Sequence, residues 1–77
     1  MTDMKEANSI QVALVDDHSM VREALASILE SDDRFDIVGQ GSNRHDAVRI
    51  TAEQQPDVLV LDYTMPGGGA LPAIEDI

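Results

Sequence analysis

Two short apolar runs closed by acids punctuate this chain. Ile10-Gln11-Val12-Ala13-Leu14-Val15 leads into Asp16-Asp17, and Val58-Leu59-Val60-Leu61 lies between Asp57 and Asp62. Apolar character sustained over so few positions marks strands buried on both faces, as in a parallel sheet. The pattern predicts strands over residues 10–16 and 57–62. After the first strand, Val21, Ala24, Leu25, Ile28 and Leu29 recur at i, i+3, i+4, i+7 and i+8, one face of a helix that Asp17 or Ser19 is placed to cap. Ser31-Asp32-Asp33-Arg34 breaks that helix. Phe35-Asp36-Ile37-Val38-Gly39 then alternates as a short second strand suited to a sheet edge. A weaker stripe of Ala47, Ile50 and Thr51 predicts a second helix over 43–54, ended at Gln55-Pro56 because a residue before proline is steered away from helical angles. Residues 63–69 form a loop with Pro66 and three consecutive glycines. Residues 70–77 begin a short third helix that tolerates Pro72 in its first turn.

The order β-α-β-α-β-α implies an α/β fold with right-handed crossovers. The expected architecture is a parallel three-stranded sheet of order 2-1-3 with helices on both faces. In that arrangement the C-terminal ends of the first and third strands are neighbours. Asp16, Asp17 and Asp62 meet there, where α/β proteins place their chemistry.

Composition narrows the functions open to such a pocket. At 77 residues the chain is one domain at most, read here as a polar leader over 1–9 and a folded unit over 10–77. A chain this short buries only ~60% of the surface that its unfolded form exposes. It has no cysteine, hence neither disulfides nor a thiolate metal site. Fifteen acidic residues against five basic ones give a net charge of −10, which argues against binding nucleic acid or an anionic membrane surface. No apolar stretch is long enough to span a membrane, and no signal peptide is visible. A cytoplasmic location is expected.

Three carboxylates at one site repel one another and raise each other's pKa values unless a cation is present. A hard divalent ion resolves the conflict, and Mg²⁺ suits one or two carboxylates supplemented by waters and phosphate oxygens. Such a site is what a carboxylate nucleophile needs in order to accept a phosphoryl group. His18 reads as a loop or capping residue rather than a ligand, and His45 as solvated on an outer helix face.

At this point the residues carry a family resemblance. Val15-Asp16-Asp17-His18, Val21-Arg22-Glu23, Phe35-Asp36-Ile37-Val38-Gly39, Gln55-Pro56-Asp57-Val58-Leu59-Val60-Leu61-Asp62 and Met65-Pro66-Gly67 resemble, in register, the CheY-like receiver domain of two-component response regulators. The phrasing is most similar to transcription regulators of the LuxR/FixJ type. The resemblance implies that Asp62 is the phospho-acceptor, that Asp17 binds Mg²⁺ directly, and that Asp16 acts largely through water. It assigns the remaining protein ligand to the backbone carbonyl of Thr64, and the shaping of the following loop to Pro66. It further implies a histidine kinase or a small acyl phosphate as phosphoryl donor.

The family's complete domain has five strands, a switch Ser/Thr after the fourth and a lysine after the fifth. This chain stops in what would be the third helix, and its only lysine is Lys5. The expectation is therefore a truncated receiver, impaired in switching, with the outer edge of the strand over 57–62 open to association. A homodimer through that edge is expected. The alternative is a self-association or decoy module derived from a receiver and no longer phosphorylated. No nucleophile–base pair is evident, and an enzyme acting on a separate substrate is not expected.

Overall fold

A computed structural model describes residues 9–62 and 70–77. The leader, except Ser9, and the 63–69 loop with Thr64 and Pro66 lie outside the described residues. The element order is β1 (Ile10–Val15), α1 (Ser19–Glu30), β2 (Phe35–Gly41), α2 (Arg44–Gln54), β3 (Val58–Leu61) and α3 (Ala70–Asp76). The strands form a parallel sheet of order β2-β1-β3, as the alternation of elements requires.

β1 is central because it is the strand that can be buried on both faces: Val12, Ala13, Leu14 and Val15 are all essentially inaccessible. Their alternation divides the core in two. Ala13 and Val15 pack with Ala47, Ile50 and Ala73 beneath α2 and α3, with Leu59 and Leu61 of β3 alongside. Val12 and Leu14 pack with Ala26 beneath α1, with Leu25, Leu29, Phe35 and Ile37 around them. One face of the sheet thus carries two helices and the other carries one. On the second face Val58 and Val60 of β3 remain 45% and 40% exposed.

The inward face of α1 differs from the periodic stripe in the sequence. Leu25, Ala26 and Leu29 turn inward with the half-buried Arg22, whereas Val21 and Ile28 are 48% and 65% exposed. The helix has more apolar positions than one sheet contact can cover, so periodicity alone could not select between adjacent stripes. The cap differs too. His18, read as a loop or capping residue, is the N-cap of α1 in place of Asp17 or Ser19, and it makes no side-chain cap bond.

α2 begins on a reciprocal cap. Asn43 Oδ1 accepts from the Asp46 N–H at 2.8 Å, and Asp46 Oδ2 accepts from the Ser42 N–H at 2.9 Å. It ends at Gln55, whose left-handed φ of 47° takes the chain out of the helix just before Pro56. β2 runs two residues beyond its expected end. Its register against β1 slips between Val12↔Ile37 and Ala13↔Gly39, leaving Val38 as a bulge. The slip brings Gly39 and Gly41 under α2. A Cβ on Gly39 would lie 2.7 Å from Ile50 Cγ2, and one on Gly41 would overlap Asp46 Cβ. Glycine at both positions lets α2 sit directly on the strand. Arg44 Nε donates to Asp76 Oδ2 at 2.7 Å and ties α2 to α3.

Candidate acidic site at the strand ends

The site forms where β1 and β3 end side by side. Val15 is in register with Leu61, so Asp16 and Asp62 are the first residues past the ladder on adjacent strands. The Asp62 N–H donates to the Val15 carbonyl at 3.0 Å, and the Asp16 N–H donates to the Gly41 carbonyl of β2 at 3.0 Å. All three strand ends are therefore pinned together. Asp16, Asp17 and Asp62 converge as the β-α-β order predicts, each partly shielded from solvent.

Side-chain chemistry adds a fourth member. Oxygen atoms of Asp16, Asp17 and Asp62 and a ring nitrogen of His18 all lie within 4.8 Å of one another. His18 Nδ1 is 3.0 Å from Asp16 Oδ1, 3.0 Å from Asp17 Oδ1 and 3.6 Å from Asp62 Oδ2. The pocket raises the pKa of His18 above its ordinary 6.5, first through the hydrogen bond to Asp16 and then through the charge of Asp17. The pKa of Asp16 is lowered from 3.8, chiefly because its carboxylate accepts from the His18 backbone N–H; burial opposes the shift and the imidazole reinforces it.

The mutual upward shift expected of crowded acids is thus outweighed at Asp16 by a neighbouring donor and cation. The sequence pattern reads His18 as a loop or capping residue rather than a ligand. Its place directly after the acid pair was the available signal, since a residue two positions from Asp16 can fold its ring back over that carboxylate. His45, by contrast, lies on the exposed side of α2 as expected.

The donor set fits a hard divalent cation: three carboxylates supply oxygen ligands, and a cation among them relieves their repulsion. Thr64 lies outside the described residues, so the structure brings together three of the four expected ligand positions.

Comparison with known proteins identifies the family. Residues 12–77 match the family model for the response regulator receiver domain. The chain belongs to that family. A transcriptional regulatory protein, YdfI, of Bacillus subtilis is 40% identical over 67 residues, covering 87% of this chain and 32% of the relative. Among solved structures, the response regulator domain of Thermotoga maritima CheB superposes with a TM-score of 0.85 at 32% identity, covering 90% of this chain and 52% of that one. A LuxR-family two-component response regulator from Aurantimonas sp. SI85-9A1 gives a TM-score of 0.79 at 34% identity, covering 84% and 46%. This receiver chain therefore spans about a third of the curated relative's length and about half of the solved chains. Among the described residues no helix is long and apolar enough to cross a membrane.

Proposed function

We propose that this receiver chain accepts a phosphoryl group on Asp62 within a cytoplasmic two-component phosphorelay that regulates transcription. The observation carrying the reading is the convergence of Asp16, Asp17 and Asp62 from two neighbouring strand ends into one cluster of oxygens. Asp17, Asp62 and the Thr64 carbonyl would hold Mg²⁺ directly, with Asp16 acting largely through water. When bound, the cation neutralises charge on the incoming phosphoryl oxygens. An Asp62 carboxylate oxygen attacks phosphorus of a kinase phosphohistidine or an acyl phosphate. The bond from phosphorus to the donor's nitrogen or oxygen breaks, the donor keeps that electron pair, and Asp62 becomes an aspartyl phosphate. The backbone bond from Asp62 N–H to Val15 holds the acceptor at the strand end during transfer.

Intact-mass spectrometry after incubation with a small acyl phosphate and Mg²⁺ tests this. One phosphoryl adduct is expected on the native chain, lost on hydroxylamine treatment and missing from Asp62→Asn. A native chain that never acquires the adduct overturns the reading and favours an interaction module.

Exposed Val58 and Val60 favour a second property. The outer edge of β3 pairs with no strand among the described residues. An open edge on an apolar strand is a template for another copy. The corresponding proposal is a homodimer through that edge, and light scattering across micromolar concentrations decides it. A constant monomer mass excludes the dimer.

A further inference from the structure

We infer that Arg22 of α1 is a positioning residue that fixes the Asp16–Asp17 peptide so that both carboxylates converge on the divalent cation; this rests on the metal reading above. Asp16 lies just beyond the β1 ladder, where its carbonyl has left the strand-to-strand pattern that serves Val12 to Val15. Arg22 Nη1 donates to that carbonyl at 2.6 Å and to the Gly41 carbonyl at 3.3 Å. The Gly41 carbonyl also accepts the Asp16 N–H. One half-buried guanidinium therefore bridges the carbonyl of Asp16, just past β1, and that of Gly41, the last residue of β2.

Arg22 is itself placed by the first turn of α1, its N–H donating to the His18 carbonyl at 2.9 Å. The segment from Asp16 to Arg22 is thus closed at both ends: the His18 N–H holds the Asp16 side chain, and the Arg22 side chain holds the Asp16 backbone. The guanidinium suits this task because it is always charged and presents several donors in a fixed fork. Its position on the inward stripe with Leu25, Ala26 and Leu29 directs it at the strand ends. Its head donates to carbonyl oxygens at the strand ends. Its side-chain hydrogen bonds go to backbone carbonyls, so its influence passes through the backbone.

The experiment titrates the full chain with Mg²⁺ alone, following the amide resonances of Asp17, His18 and Asp62, with thermal unfolding measured in parallel. Arg22→Gln is expected to raise the Mg²⁺ dissociation constant about tenfold or more, the size usual for loss of a group that orients a metal ligand. Arg22→Lys keeps a charged donor for one carbonyl, and its constant is expected between those of the native chain and Arg22→Gln. Leu29→Ala disturbs the same helix–sheet contact away from the pocket. It is expected to lower the melting temperature while the folded protein keeps its native constant.

An Arg22→Gln constant equal to that of the native chain, or raised no more than that of Leu29→Ala, overturns the inference. Should Arg22→Gln fail to fold, a native constant for Arg22→Lys overturns it equally. A native chain whose resonances ignore Mg²⁺ refutes the metal reading instead. Arg22 is then judged in metal-free protein, where Arg22→Lys should speed hydrogen exchange of the His18 amide and Leu29→Ala should not; equal rates overturn the positioning role.

Discussion

His18 meets one oxygen of Asp16 twice: its backbone N–H donates to Asp16 Oδ1 at 2.9 Å, and its ring Nδ1 lies 3.0 Å from the same atom. The side chain that follows the acid pair therefore sets a positive charge beside three carboxylates whenever its ring is protonated. This relationship makes the site sensitive to pH.

In the folded chain the His18 pKa lies above 6.5, so the fold favours the imidazolium. Its contribution to stability is complete below the unfolded value of 6.5 and is lost as pH rises through the raised folded value. Denaturant midpoints of metal-free protein should fall across that window, and His18→Gln should lose that dependence. Added Mg²⁺ should push the His18 pKa back down, because two cations compete for the same oxygens. A His18 ring that titrates at or below 6.5 by NMR in metal-free protein would show that the imidazole leaves the pocket in solution.

The cap of α2 gives a prediction of opposite sign. Asp46 has a pKa lowered from 3.8, mainly because it accepts from the Ser42 N–H, so its stabilisation is present above 3.8 and lost as pH falls through the lower folded value. Asn43→Ala removes the partner acceptor and should cost about 1 kcal/mol at neutral pH. Urea unfolding of Asn43→Ala and of the native chain at neutral and acidic pH checks both statements.

The register of α1 is testable by truncating adjacent residues. Leu29 packs against the cluster of Val12, Leu14 and Ala26, and Leu29→Ala should destabilise by about 2 kcal/mol. Ile28 is 65% exposed, and Ile28→Ala should fall within about 0.5 kcal/mol of the native chain. Equal losses in thermal or urea unfolding would favour the stripe read from the sequence.

Gln55 carries a left-handed backbone without the freedom of glycine. Gln55→Gly should stabilise the chain by about 0.5–1 kcal/mol, since relief of the Cβ strain exceeds the added entropy of the unfolded chain. Gln55→Val should destabilise it, a β-branched side chain being poorly tolerated there. Unfolding midpoints measured side by side give the sign directly.

Much of the architecture was legible because it depends on period and order. Two apolar runs closed by acids, separated by helical and alternating segments, lead to a parallel sheet of order 2-1-3. That topology is enough to bring Asp16, Asp17 and Asp62 to one end of the sheet. The inward side of α1 was not legible, because Val21 and Ile28 are as apolar as Leu25 and Leu29. Nor was the bulge at Val38, which arises where β2 must pass beneath Ile50 and Asp46.

The sequence by itself determined the elements, their order and the acids at the strand ends, since hydrophobic period and chain connectivity are local properties that survive without neighbours. Only the tertiary structure decided what surrounds those acids. His18 enters the pocket and Arg22 takes the carbonyls of Asp16 and Gly41 because separate strand ends are pinned to one another. Such contacts depend on distances of a few ångströms between segments, which neither spacing nor residue type specifies.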